Sequence, residues 1–476
     1  MRKLLLLSAL LMVILSSCKK DLTTLNVNPK GASEVPSYTL FANAQLNLAN
    51  NLATPSVNVN IWRMIAQHWT ETTYPDESNY DLGTRNIPQN WFHALYRDVL
   101  VNLAEAKKLI PNDVSDPVTQ KNQLAIVDIM TVFTYHYLVT TFGDIPYSDA
   151  LNIENVQPKY DDAKTIYADM LAKLNAAIGN LDDAGESFGS HDLLYGGDVS
   201  LWKKFANSFK LKMGMMMADY DAGAAKTAVE SAVAGGVFTS NDDNAIFHFL
   251  DATPNTNPVW VNLVQSGRKD FVAANTLVTA MKGLTDPRIP LYFTPDNSGV
   301  AYNGGIYGAN NNYATFSKPD DAILEPTFPT WFMDYAEVEF LLAEAVERGF
   351  TVGGTAQEHY NKAVTASIEF WGGTAAEATA YLALPAVNYA TAAGTYKQKI
   401  GVQKWIALYE RGHDAWTEWR RLDYPALVAP PAAVSAIPVR FTYPVSEQNL
   451  NKANYDAASS SIGGDVVTSK LWFDKF

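Results

Sequence analysis

A mainly α-helical fold, with tetratricopeptide-like helix pairs supporting an irregular, loop-rich half that carries short β pieces, is what this sequence predicts. Three observations point to it. Apolar residues recur at helical spacing through most of 37–238 and again from 331 onward;. Paired segments place alanine at crowded positions and tyrosine where a neighbouring helix is met: Tyr335, Ala343 and Ala345, then Tyr360 and Ala363 across Gly353-Gly354;. Between the two helical parts, residues 239–330 are rich in Asn, Asp, Gly, Pro and Tyr and lose that period;. The tetratricopeptide match is degenerate and does not predict a regular array.

The first 36 residues stand apart from this domain. Arg2 and Lys3 form a basic start, and Leu4 to Leu15 is an apolar run. It is shorter than the roughly 20 residues that a membrane span needs, and it ends in Leu15-Ser16-Ser17-Cys18, the pattern of a bacterial lipobox;. Residues 1–17 are therefore expected to be a lipoprotein signal peptide, with Cys18 as the lipidation site. Each buried CH₂ of an acyl chain contributes about 0.8 kcal/mol, so two or more chains hold a protein on a membrane durably. Residues 18–36 read as lipidated Cys and tether, since Asn26 to Gly31 is turn-forming and shows no apolar period;. Residues 37–476 are expected as one domain: helical 37–238, a loop-rich excursion 239–330, and a helical and Pro-rich part 331–476.

Helices are expected, in order, at Tyr38–Asn50, Val59–Glu71, Trp91–Leu109 and Gln120–Phe142. Asp161–Leu181, Ser200–Tyr220 and Lys226–Ala234 follow, then Trp331–Arg348, Ala356–Trp371 and Gly401–Arg420;. Trp62, Trp69, Trp91, Trp202, Trp405, Trp416 and Trp419 sit at helical spacing among apolar residues and read as core;. Glu418 and Arg420-Arg421 suggest a helix end held by a carboxylate–guanidinium pair. Glu337, Glu344 and Glu347 read as a solvated helix face. In the excursion, Ala245 to Phe249 is a short β-like piece. Tyr424 to Pro444 is a second, Pro-rich irregular stretch.

Composition narrows function. Cys18 is the single cysteine in 476 residues, so once it is lipidated neither disulfides nor thiol chemistry remain;. The formal charge is −14, and an acidic surface repels phosphate backbones, so no nucleic-acid partner is expected;. No segment after the signal reads as a membrane span. Aromatic residues make up 12%, and many lie in loop-like sequence, which core packing does not require.

Several runs carry a family likeness. They are Tyr74-Pro75-Asp76-Glu77-Ser78, Phe142-Gly143-Asp144-Ile145-Pro146-Tyr147, Asp286-Pro287-Arg288 and Tyr335 to Glu344. Gln403-Lys404-Trp405-Ile406-Ala407-Leu408, Trp416 to Arg421 and Lys470-Leu471-Trp472-Phe473-Asp474 complete the series. In that order, behind a lipobox, the chain resembles the SusD/RagB family of nutrient-binding outer-membrane lipoproteins of the Bacteroidetes, in particular SusD-like family 2. The resemblance spans essentially the whole mature chain. It implies a SusD-like fold and a non-catalytic protein, lipid-anchored in the outer membrane and facing the cell exterior. It also implies a TonB-dependent SusC-type barrel as partner, with an oligosaccharide or peptide ligand passed to it.

The residues support binding on their own terms. A sugar ring offers an apolar C–H face and a hydroxyl rim, so a site needs aromatic platforms beside amides, carboxylates or guanidinium groups. Two regions supply that mixture. The first is Tyr74 to Asp81 with Arg85, in which Tyr74, Asp76, Tyr80 and Arg85 are candidates. The second contains Trp260, Tyr302, Tyr307, Asn311 and Tyr313, interleaved with further Asn and Gly. Burying so many hydrogen-bonding groups unpaired is unfavourable, which makes this poor core material and good recognition material. The competing reading is that these tyrosines close over the loop's own small core or meet the barrel.

Catalysis is not expected. The seven histidines are scattered, and no HExxH, GxSxG, P-loop or GxGxxG occurs;. Asp76/Glu77 is the best carboxyl pair, yet adjacent residues of an extended segment point apart. No cofactor is expected. Asn241-Asp242-Asp243-Asn244 and Gly463-Gly464-Asp465 offer oxygens for a structural Ca²⁺, but neither follows the EF-hand loop. The leading reading is a surface lipoprotein that binds a nutrient polymer, oligosaccharide favoured over peptide. A scaffold assembling surface proteins through its helix pairs and a surface glycan hydrolase are the alternatives.

Overall fold

Helices carry most of residues 35–475, the part of the chain that the computed structural model describes. The signal segment, Cys18 and nearly all of the tether lie outside the described residues. Helix α1 (Ser37–Ala53) buries Phe41, Ala44, Leu48 and Ala49, the stripe its sequence presents;. α2 (Trp62–Ile65) is a single turn, after which the chain straightens into β1 (Trp69–Glu71). The helix expected over Val59–Glu71 is thereby corrected. Gln67 adopts a left-handed backbone (φ +56°), and the next residues pair with another strand instead of continuing the helix.

α3 (Ile87–His93), a π-helical turn and α4 (Val101–Asp113) form one run. α5 (Pro117–Phe142) starts with Pro at its first position and Asp116 accepting from the Thr119 N–H;. It is long and apolar enough to cross a membrane, which the sequence reading granted to no segment after the signal. Its side chains are mostly buried against α4 and its next neighbours α6 (Ala163–Asn180) and α7 (Val199–Met217). Between α5 and α6 run β2 (Ile145–Pro146) and β3 (Tyr160–Asp161). α8 (Ala222–Gly235) folds back on α7. Asp162, Asp198 and Asp221 cap α6, α7 and α8 by accepting from backbone N–H groups of the first turn;.

The excursion is more ordered than its composition suggests. β4 (Ala245–Phe247) falls where a β-like piece was expected. α9 (Pro258–Trp260), β5 (Phe271–Ala273), α10 (Asn275–Leu284), α11 (Ile289–Tyr292) and β6 (Thr330–Met333) follow. The strands make three two-stranded antiparallel pairs, β1–β5, β2–β3 and β4–β6. The expected helix over Trp331–Arg348 begins only at Tyr335, as α12 (Tyr335–Glu347). Asp334 caps it by accepting from Glu337 N, and the residues before it belong to β6.

α13 (Ala356–Phe370) and α14 (Ala375–Leu382) each open with a Thr/Glu capping box;. The single helix expected over Gly401–Arg420 is two, α15 (Tyr396–Ala407) and α16 (Gly412–Leu422), broken where Glu410 turns left-handed (φ +71°). α17 (Val445–Leu450) and α18 (Lys452–Ser461) close the described part. Consecutive helices pack as the pairs α7/α8, α12/α13 and α15/α16. Trp62, Trp69, Trp91, Trp202, Trp405 and Trp416 are buried, as expected, whereas Trp419, also read as core, is only half-buried against it.

Among these pairs lies a chain of buried charges. Arg411 donates to Asp334 (3.2 Å), Glu337 (2.6 Å) and Asp414 (2.9 Å). Lys212 of α7 bonds Asp414 and ion-pairs with Glu337 at 2.9 Å. Further along, Arg421 joins Glu344 to Glu418, Lys404 ion-pairs with Glu418 at 2.9 Å, and Arg348 runs from Glu344 out to Asp219. This bears out the carboxylate–guanidinium pair at the end of α16. It corrects Glu337 and Glu344, read as a solvated face: both are buried, and only Glu347 of the three is exposed. Burial alone would raise the Glu337 carboxyl, but Arg411 and Lys212 hold it well below the usual range;.

Asp286-Pro287-Arg288 ties the excursion to the pairs. The buried Arg288 guanidinium bonds Asp286 (2.6 Å), Ser367 of α13 (2.9 Å) and Gln403 of α15 (2.8 Å). From the other side, Trp405 donates to Ala66 O (2.8 Å) and Arg63 to Glu410 (2.9 Å).

Replacing Glu337 by Ala leaves Lys212 and Arg411 without their shared carboxylate, and loss of about 3–5 kcal/mol in urea unfolding at neutral pH is expected. The same carboxylate, with Glu344 and Glu418, has a folded pKa below its unfolded value of 4.5. Their stabilisation is thus complete above that value and falls as pH drops toward the folded pKa values, which an acid titration of unfolding free energy checks.

Candidate functional site

The Tyr74 to Asp81 segment and the 304–313 part of the second aromatic–amide region, more than 200 residues apart in sequence, meet around β1 and β5. Trp69, Thr70 and Glu71 pair with Ala273, Val272 and Phe271. Beyond the strands Thr72 continues the pairing, its N–H to Asp270 O (2.8 Å) and its hydroxyl to Lys269 O (2.6 Å). The loop 304–313 then crosses the strand ends. Gly305 N donates to Ala273 O (2.8 Å) and Asn311 N to Thr72 O (2.9 Å). Asn79 reaches across to Gly308 O (2.8 Å). Glycine is required at 308: its φ is +74°, and a Cβ would stand 2.4 Å from Pro430;.

Pro430 belongs to the Pro-rich stretch, which forms the third wall. Gln67 donates to Val428 O (2.8 Å), and Val434 N donates to Asn79 O (2.9 Å). Beneath lies a small cluster of Tyr80, Ala274 and Tyr307, covered by Ala429, Ala433 and Ile437.

This geometry divides the candidates. Tyr80, Tyr307 and Asn311 are corrected: all three are buried and offer no open face. Tyr307 donates to Met64 O (2.7 Å), and the Tyr80 hydroxyl accepts from Gln67 (3.3 Å). Asn311 donates to Glu71 O (2.9 Å) and accepts from Ile306 N (2.8 Å). Every polar atom that made them poor core material on paper has a partner. Tyr74, by contrast, is 70% exposed, with its backbone in the left-handed region (φ +57°). Asp76 is exposed beside it, and Arg85 is half-buried. Tyr313 is half-buried with the ammonium groups of Lys269 and Lys318 over its ring, at 5.6 and 5.2 Å;. Tyr302 packs partly against the core. Trp260 is half-buried on α9, whose cap Asn257 donates to Phe328 O (2.6 Å); no contact among the described residues joins it to Tyr74.

Three side chains that the sequence reading passed over complete the face. Ile306 is 60% exposed, Val428 75% and Val434 70%, each on a loop bonded to its neighbours at this junction. Their signal was an apolar residue standing alone among Gly, Pro and Ala, which no periodicity detects. With Tyr74 they are the exposed apolar side chains on the three joined loops, and Asp76 and Arg85 lie on the Tyr74 loop.

Under the face, Glu71 and Glu77 meet, and both are buried. Arg85 pairs with one oxygen of Glu77, and the other has no hydrogen-bond partner among the fixed donors. Burial and then the neighbouring Glu77 push the Glu71 carboxyl up to about 9, so at neutral pH it keeps its proton and supplies that missing donor;. Ser78 N donates to its other end (2.9 Å). Asp76 and Glu77 point apart, exposed and buried respectively, as expected of neighbours in such a loop.

The two turns considered for Ca²⁺ have protein partners for their carboxylates. Asp243 accepts from Lys204 and Thr239, and Asp465 from Arg440 and Tyr443. Among the described residues no group of three or more His, Cys, Asp or Glu side chains is gathered for an ion.

Comparison with known proteins places this architecture. A family model described as starch-binding and associating with the outer membrane, SusD-like family 2, matches residues 29–444. Among solved structures, a chitin-binding protein is 28% identical, with TM-score 0.80 over 92% of this chain and 100% of the other. A SusD homologue from Bacteroides uniformis is 27% identical, with TM-score 0.76 over 92% and 100%. A chitin-binding SusD homologue from Flavobacterium johnsoniae is 25% identical, with TM-score 0.75 over 91% and 98%. A search of curated proteins gave no match.

Glu71 yields a pH prediction. Its folded pKa lies above the unfolded value of 4.5, so its presence costs stability progressively as pH rises from about 5 toward 9;. Glu71→Gln keeps the acceptor for Ser78 and a donor for Glu77. It is expected to raise unfolding free energy at pH 7 by about 1–3 kcal/mol and flatten the profile over that window, as thermal melts at several pH values will read.

Proposed function

This chain belongs to SusD-like family 2, whose members are described as starch-binding and associated with the outer membrane, and from that premise we propose that it captures an oligosaccharide without chemistry of its own. The observation that carries the reading is the convergence of the Tyr74 loop, the 304–313 loop and the Pro-rich stretch into one exposed face. That face combines an aromatic platform and apolar side chains with a carboxylate and a guanidinium at the edge, the set of groups a pyranose needs. Tyr313, at the end of the 304–313 loop, is a further candidate beside it, and Tyr302 and Trp260 are candidates away from it. The net charge of −14 favours neutral over uronic-acid polymers;. Two of the related structures are of chitin-binding proteins, so β-1,4-linked N-acetylglucosamine oligomers are the first ligands to try.

The proposal extends to place and partner. Removal of residues 1–17 and acylation of Cys18 would anchor the chain in the outer membrane, with residues 18–36 as tether and the domain facing outward. A TonB-dependent SusC-type barrel would receive the ligand. Ligand bridging both proteins would favour the closed assembly by its differential affinity for that state.

The test is titration calorimetry with the soluble chain from Lys19 onward, which retains the whole compact unit that starts at Ser37. Saturable binding of a neutral oligosaccharide, weakened about tenfold by Tyr74→Ala with the melting temperature unchanged, is expected. Binding of peptides alone, or glycan binding indifferent to Tyr74 and Arg85, would overturn the reading. Turnover of any glycan on prolonged incubation would overturn its non-catalytic part.

A further inference from the structure

We propose that a groove between β6, the C-terminal end of α13 and residues 320–329 is a second sugar subsite, shaped for a pyranose bearing an acetamido group; this rests on the glycan reading above. The groove encloses about 330 Å³, at the small end of ligand pockets, and its open walls are Leu291, Phe328, Phe370 and Trp371, with Asp320 at the rim and the buried Trp331 behind them;. Nothing in the binding face described above uses these residues.

The walls are fixed in position. Trp331 meets Phe370 at 4.9 Å and Trp371 at 5.6 Å, both edge to face, so the rings cannot slide flat together and close the space;. Trp331 donates to Asp334 (3.0 Å), and Trp371 stands edge-on against Tyr292 at 4.6 Å. A groove held open by its own second layer needs little ordering when ligand enters.

The chemistry of the lining selects the occupant. One Asp320 oxygen accepts from Ala322 N (3.0 Å), and the other has no partner among the described residues. A carboxylate only accepts, so the ligand must bring an N–H or O–H and must not be an anion. Carbon walls with one acceptor at the rim suit a group that is mostly carbon and carries a single donor, the ring hydroxyls staying at the open mouth. An acetamido group is such a group, with one N–H for Asp320 and a methyl for the indole and phenyl walls.

The groove is close in sequence to Tyr313. Lys318, whose ammonium covers the Tyr313 ring, is two residues before Asp320. Pro319 between them is held to Phe293 by a β-bridge. Tyr313 and Asp320 are seven residues apart, so at most about 25 Å separates them, a span within reach of a hexasaccharide;.

The test titrates the soluble chain from Lys19 with N-acetylglucosamine oligomers of two to six units and with cello-oligosaccharides of the same lengths. Asp320→Asn preserves the cap, since Asn still accepts from Ala322 N, and Trp371→Phe keeps a ring with less area. Both are expected to weaken binding of the N-acetylglucosamine hexamer about tenfold and to leave the dimer, held at the Tyr74 face, unchanged. Cellohexaose is expected to be insensitive to Asp320→Asn. A hexamer indifferent to both variants would overturn the subsite, and equal losses for both hexamers would overturn the acetamido assignment. Hexamer binding that responds to Trp371 but not to Tyr74 would uphold the groove while sinking the face proposed as the primary site.

Discussion

Everything in this molecule hangs on a line of buried charges shared by four helices. Lys212 comes from α7, Glu337 and Glu344 from α12, Lys404 from α15, and Arg411, Asp414, Glu418 and Arg421 lie in or next to α16. Each of these groups is costly to bury alone, and only the assembled set is tolerable in so dry a place. The helix pairs therefore have one arrangement in which the charges all find partners. The loops inherit that rigidity, because Arg288 is bonded to α13 and α15, and α2 is bonded to α15 through Trp405.

Rigidity explains how an irregular surface holds a shape. Three separate stretches of loop, 72–86, 304–313 and 424–437, meet with almost no regular structure between them. Two short strands, a buried tyrosine pair and a handful of side-chain amides do the joining. Glu71 and Glu77 add a shared proton beneath. Tyr74, Ile306, Val428 and Val434 stand outward on these tied loops. Exposed apolar side chains on well-tied loops are more plausible as a binding surface than as poor packing, since nothing prevents their neighbours from shifting except these bonds.

Much of this was legible in the sequence, for reasons that differ by element. Long helices such as α5, α6 and α7 announce themselves by periodicity and by Asp caps, and the tryptophans at helical spacing are core. Two of the misread boundaries lie where a strand abuts a helix, since Trp69–Glu71 and Thr330–Met333 fit either period over so few positions; the third, inside 401–420, is a left-handed turn at Glu410. Glu337 and Glu344 look like a wet face because a single helix cannot show that cations from two others will meet it. Tyr307 and Asn311 look like recognition residues for the same reason, since their partners Met64 and Glu71 are hundreds of residues away. The convergence of the two aromatic regions is a property of the β1–β5 pairing, which no local pattern encodes.

The measurement that bears most directly on the account is hydrogen–deuterium exchange of the soluble chain with and without a saturating neutral oligosaccharide. The account predicts protection concentrated in 72–81, 304–316 and 428–434, over a helical half whose amides are slow to exchange in both states. Protection confined to the faces of α7, α8 or α12, or an unchanged pattern in the three loops at saturation, would contradict it.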